Sequence, residues 1–134
     1  MRLISWGASD VGSARKVNED GFLLAPDHGF VAVADGMGGY QRGDVASQLA
    51  CNVIKECLTT HRHVIDLYRR SPTEAARSAV QTMIDSAMQK ACKEVHEAAM
   101  AITGRGGRMG TTMDLLLQIG RTAFFGHVGD GRIY

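Results

Sequence analysis

The stretch VAVADGMGG, Val31 to Gly39, decides the fold. Four small apolar residues read as a buried strand. The strand runs into Asp35 and at once into Gly36, Met37, Gly38 and Gly39. A carboxylate is thus driven to the end of a core strand and surrounded by backbone with almost no side chains. Upstream, GFLLA (Gly21 to Ala25) is a second short apolar run, and the turn residues PDHG (Pro26 to Gly29) separate it from FVAVA (Phe30 to Ala34). Two short runs joined this way predict a β-hairpin. LISWGASD (Leu3 to Asp10) alternates loosely and predicts a further strand before it.

Beyond the glycines the period changes. From Asp44 to Leu58, Val45, Leu49, Val53 and Cys57 share one helix face, with Ala46, Ala50, Ile54 and Leu58 beside them. Asp44 is placed to favour that helix's N-terminus, where N–H groups are unsatisfied. SPTE (Ser71 to Glu74) predicts a second helix: Ser71 as cap, Pro72 at the first helical position and Glu74 closing a capping box. Its stripe is Ala76, Val80, Met83, Ala87, Ala91, Val95 and Ala98, read as core packing. TGRGGRMG (Thr103 to Gly110) ends it. TTMDLLLQIG and TAFFGHVGDGRIY return to strand content around Gly120-Arg121, and Tyr134 falls inside that strand-like run. Strands and helices are segregated, which predicts α+β with an antiparallel sheet.

Bulk properties exclude several classes. The chain has 134 residues and 45% hydrophobic content, enough for one domain with a core. A formal net charge of +1 argues against nucleic acid or an acidic membrane surface as partner. GRGGR (Gly104 to Arg108) resembles an RGG element in miniature, lacks interleaved aromatics, and reads as a loop. Arg69-Arg70 reads as a solvated helix or loop end. No run approaches the roughly 18 apolar residues of a membrane span. Cys51, Cys57 and Cys92 are odd in number, without a CxxC, and read as small buried hydrophobes in a reducing, cytoplasmic setting.

Three acidic spots stand at strand ends beside glycine or a turn: Glu19-Asp20, Asp35 and Asp130. Carboxylates gathered at one rim repel one another unless a cation sits among them. Oxygen donors without Cys or His select Mg²⁺, Mn²⁺ or Ca²⁺. Gly36 has no Cβ, so a backbone carbonyl can turn toward such an ion. Arg15 lies five residues before Asp20 and carries the rigid fork that fits phosphate oxygens.

These residues resemble a known family, the type 2C metal-dependent serine/threonine protein phosphatases, in its bacterial branch. RKVNED is similar to R-x-x-N-E-D. VAVADGMGGYQRGDVAS is similar to V-A-D-G-M-G-G-H-x-x-G-E-x-A-S, and MGTT…HVGDGRIY to M-G-T-T…H-V-G-D-S-R-I-Y. The resemblance implies an α-β-β-α sandwich, two antiparallel sheets flanked by helix pairs. It also implies two core Mn²⁺ or Mg²⁺ ions and a third, weaker one. Asp35 would bridge the core ions, and Gly36 would offer its carbonyl. Asp20 would join the metal shell, Glu19 would act through waters, and Asp130 would match the weaker site. Arg15 would hold the substrate phosphate. The reaction implied is hydrolysis of phosphoserine and phosphothreonine in proteins by a metal-activated water. Arg15, Asp20 and Asp35 would be catalytic, and no cysteine nucleophile is needed. Phosphorylated proteins would be the substrates, with a serine/threonine kinase and its targets as candidate partners.

The sequence departs from the pattern at three places: Tyr40 stands for His, Asp44 for Glu and Gly131 for Ser. Met37 follows Asp35-Gly36 as in the bacterial branch, where other branches of the family have the histidine proposed as general acid, so no general acid is assigned. His127 reads as a packed histidine. The family's later S-D-G and D-N aspartates have no match; the only carboxylates after Glu97 are Asp114 and Asp130. The expectation is that residues 1–134 are the N-terminal portion of a single catalytic domain, truncated after the first half. The alternative is a non-catalytic, phosphatase-like module that regulates or binds phosphoproteins.

Overall fold

The computed structural model describes residues 3–38, 42–104 and 108–134. Tyr40 and most of the GRGGR segment lie outside them. Strand β1 (Gly21–Ala25) pairs antiparallel with β2 (Phe30–Ala34), Gly21 opposite Ala34 and Ala25 opposite Phe30. A 3-10 turn, Pro26–His28, closes the hairpin, and Gly29 completes it at φ +83°. Glycine is required there twice over. The left-handed conformation disfavours a Cβ, and a Cβ would stand 2.7 Å from the Gln118 carbonyl oxygen.

The other face of the turn region is tied to the C-terminal strands. Gln118 N–H donates to the Gly29 carbonyl at 2.7 Å. β2 pairs with β5 (Met113–Ile119), and β5 with β6 (Thr122–Val128) around Gly120 at φ +61°. The sheet order is β1-β2-β5-β6, antiparallel throughout. A second, two-stranded ladder joins β3 (Gly36–Met37) to β4 (Gly110–Thr111). The segregated α+β reading holds, with antiparallel sheets.

Helices cover one sheet face. α1 (Gly43–Thr60) buries Ala46, Ala50, Val53, Ile54, Cys57 and Leu58. α3 (Glu74–Thr103) packs on α1 and buries Val80, Met83, Ile84, Ala87, Ala91 and Val95. At its C-terminal end Ala99 is buried and Ala98 only half so. Phe30, Leu115 and Leu117 meet the helices from the central strands, each wholly buried. Gly126 lets α3 approach β6: a Cβ there would fall on Met88 Cε.

Several expectations are corrected. Residues 3–10 form no strand: a Cβ on Gly7 would stand 3.2 Å from the Phe22 ring, so the segment crosses the face of β1 rather than aligning with its edge. Ile4 and Trp6 are consequently almost fully exposed. The α3 cap is Thr73, not Ser71; its hydroxyl accepts from Ala76 N–H at 3.2 Å, which moves Pro72 outside the helix. A third helix, α2 (Arg62–Arg70), follows α1 after a break at His61. Its Tyr68 ring meets Phe124 edge-on at 5.2 Å. Arg69 and Arg70 occupy its last turn, where cations favour the helix dipole. Cys92 is exposed, whereas Cys51 and Cys57 are buried.

β6 stops at Val128, because Gly129 at φ +112° turns the chain away, so residues 131–134 carry no strand. His127 is not packed: its side chain is about half exposed on an edge strand and binds Asp114, which raises its pKa above the ordinary value. Among the described residues no helix is long and apolar enough to cross a membrane.

The cap assignment is measurable by urea unfolding. Thr73→Ala should cost about 1 kcal/mol, whereas Ser71→Ala should leave stability within roughly 0.5 kcal/mol. In the same assay Leu115→Ala should cost about 3 kcal/mol through the cavity it opens in β5.

Candidate metal centre

Asp35 lies between β2 and β3, where the chain passes from one sheet to the other. Such a break orphans backbone groups. Thr112 meets both: its Oγ1 accepts from Asp35 N–H at 2.9 Å, and its own N–H donates to the Asp35 carbonyl at 2.9 Å. Thr112 is buried, immediately before β5. The carboxylate of Asp35 is therefore carried by a residue fixed to two strands.

Gly36 is wedged beside it. A Cβ would fall on the carbonyl oxygens of Glu19 and Gly43. Glu19 itself is buried, and its Oε1 accepts from Gly43 N–H at 3.0 Å. Its carbonyl accepts from Ser47 Oγ at 2.7 Å. Glu19 thus caps α1 from a distant segment and sets a negative charge at its positive end. Asp44, expected to favour this terminus, lies in the first turn and pairs with Arg42 Nε at 3.4 Å. Arg42 is left-handed at φ 73°.

Asp20 is oriented by polar neighbours. Its N–H donates to Asn18 Oδ1 at 3.0 Å. Ser9 Oγ donates to Asp20 Oδ2 at 3.4 Å and accepts from Asn18 Nδ2 at 2.8 Å. Asp20 and Asp35 face one hollow of about 250 Å³, together with Ser9, Thr112, Asp114 and Arg132. A larger cavity of about 660 Å³ adjoins Arg15, Lys16, Glu19, Arg42 and Asp44.

The electrostatics record the convergence. The Asp35 pKa is raised first by desolvation, then by the neighbouring Asp20 carboxylate. Arg15 opposes the rise, and Asp130 adds weakly to it. The structure thus brings Asp20 and Asp35 together, with Arg15 and Asp130 within electrostatic range. Glu19 turns instead to α1. Two adjoining carboxylates whose charges oppose one another are a donor set that suits a hard divalent cation. Among the described residues no three Asp, Glu, His or Cys side chains form a ready ion cage.

Sequence reasoning gave no role to Thr112, Asn18 or Ser47. Asn18 and Ser47 stand inside the quoted motifs RKVNED and GDVAS, and Thr112 inside MGTT, so the signal was their position next to the acids.

The family model for protein phosphatase 2C matches residues 13–134. The serine/threonine phosphatase stp of Listeria monocytogenes is 29% identical over 132 residues, covering 94% of this chain and 47% of the relative. Protein phosphatase PhpP of Streptococcus pneumoniae is 26% identical, covering 93% and 47%. Among solved structures, the serine/threonine phosphatase PstP/Ppp of Mycobacterium tuberculosis superposes with a TM-score of 0.70 at 26% identity, over 92% of this chain and 45% of that one. The catalytic domain of PstP in complex with two manganese ions gives a TM-score of 0.68 at 27% identity, over 92% and 46%. The chain spans about half the length of the curated relatives it matches.

Thr112→Val keeps the shape and removes the acceptor of Asp35 N–H; it should cost about 1–3 kcal/mol in urea unfolding. The raised Asp35 pKa has a definite sign. The folded state holds that proton more tightly than the unfolded chain does. Its contribution to stability is present below the ordinary value of 3.8 and is lost as pH rises through the raised one. In chelator, the thermal midpoint of wild type relative to Asp35→Asn should therefore fall across that window. Added Mn²⁺ should reverse the difference.

Proposed function

Because the chain belongs to the protein phosphatase 2C family, we propose that it serves metal-dependent hydrolysis of phosphoserine and phosphothreonine in proteins. The observation that carries this reading is that Asp20 and Asp35 face one hollow, with the Arg15 charge in electrostatic range. Asp35 and Asp20 would hold the core Mn²⁺ or Mg²⁺ ions, with the Gly36 carbonyl, and Asp130 would serve a weaker site. Bound divalent cations supply Lewis-acid chemistry and make water nucleophilic near neutral pH.

The remaining work falls to the chain itself. Arg15 binds the substrate phosphate with its fork and stabilises charge on the transferring oxygens. Its exposed connector lies beside the larger cavity, where a protein substrate has room. Glu19 fixes the start of α1 against Gly36, and would act on the ions through water. Thr112 keeps Asp35 from shifting as charge changes around it. Substrates are phosphorylated proteins, which serine/threonine kinases must supply. The three free cysteines suit a reducing, cytoplasmic setting.

With a phosphothreonine peptide and Mn²⁺, Asp35→Asn in the full-length protein should lower kcat by about 100-fold or more. Arg15→Ala should raise KM and lower kcat. Full activity in excess chelator would overturn the proposal. Phosphopeptide binding without turnover would instead make the protein a phosphoprotein-binding module.

A further inference from the structure

Asp114 is a buried carboxylate that the proposed chemistry leaves unused; it is 5% exposed. It sits on β5 on the sheet face turned from the helices, between Val33 of β2 and His127 of β6 in the ladder. Burying a carboxylate is costly unless it is hydrogen-bonded. Among the described residues Asp114 has one hydrogen-bond partner. Its Oδ1 receives His127 Nδ1 at 2.5 Å. Its Oδ2 lies so close to Gly131 that a Cβ at that residue would fall on it.

The same turn is held at a second point. A Cβ on Gly129 would stand 2.6 Å from Thr112 Cγ2, so Gly129 rests on the residue that clamps Asp35. Asp130 is thus flanked by two glycines, one seated on Thr112 and the other on Asp114. Asp114 also lines the hollow shared by Asp20 and Asp35. At position 131 the resembling motif has Ser. A side chain there and the Asp114 carboxylate would compete for one space.

We propose that Asp114 is a positioning residue: held by His127, its carboxylate seats the Gly129–Gly131 turn and fixes Asp130 relative to Asp35. The proposal rests on the reading of Asp130 as a metal-site residue. Asp114 acts through the turn.

Two readouts on the full-length protein test it: ¹H–¹⁵N order of the Gly129, Asp130 and Gly131 amides, and Mn²⁺ affinity by calorimetry. Asp114→Leu should lower the order of those amides and weaken the weakest Mn²⁺ site by about tenfold, with the tighter sites unchanged. Asp114→Asn keeps an acceptor for His127 and should restore both readouts. Gly131→Ser should behave like Asp114→Leu, and adding Asp114→Ala to it should relieve the crowding. Unchanged amides in Asp114→Leu would overturn the proposal. So would equal weakening of every Mn²⁺ site, which marks general structural damage. A wild type that binds no Mn²⁺ would fail the metal reading, and the amide order would still decide the role of Asp114.

Discussion

The two hydrogen bonds between Asp35 and Thr112 are the constraint on which the rest of the site depends. At Asp35 the chain leaves a four-stranded sheet and enters a two-stranded ladder. An N–H and a C=O at such a break must find partners or carry an unmet desolvation cost. Both partners come from one residue, 77 positions away along the chain. The three helices lie between them in sequence, so the clamp joins the strand before the helix layer to the strand after it. Once closed, it carries Asp35 on rigid elements, which suits a ligand whose position must hold closely.

A division of labour among the acids follows from where their backbones lead. Glu19 and Asp20 are adjacent in sequence and point to different tasks. Glu19 is drawn to the N–H of Gly43 and gives α1 its cap. Asp20 is held outward by Asn18 and Ser9 and meets Asp35. Were both carboxylates turned to Asp35, the repulsion would be larger, and α1 would lose a charge at its N-terminus. Burial of one acid in a structural bond thus limits the charge that any cation must offset.

What was legible in the sequence is what local chemistry decides. The β1–β2 hairpin could be read because two apolar runs, Pro26 and Gly29 all lie between Gly21 and Ala34. The α1 stripe and the strands around Gly120 could be read for the same reason. The α3 cap was misread by two residues because Ser71 and Thr73 offer the same hydroxyl chemistry, and only the path after Pro72 separates them. α2 escaped because nine residues with Val64, Ile65 and Tyr68 give too short a pattern. The Leu3–Asp10 strand failed because alternation cannot say whether a neighbour's edge is in reach. In the site, the acids were visible by type. Thr112, Asn18 and Asp114 were not, because their roles arise from register and from contacts between distant segments.

Gly36, directly after Asp35, has a steric reason beyond the conformational freedom the sequence suggests. Three backbone segments meet there: Glu19, Gly36–Met37 and Gly43. A Cβ on Gly36 would strike the carbonyls of the other two. A Cβ on Gly43 would strike the Glu19 carboxylate and stand 2.8 Å from the Met37 backbone. Any side chain at either position would push Glu19 away, and Asp20 is bonded to Glu19 through the peptide. The separation between Asp20 and Asp35 is thus set by how closely bare backbone can pack. That is why the carboxylate at the end of this core strand is followed at once by Gly36.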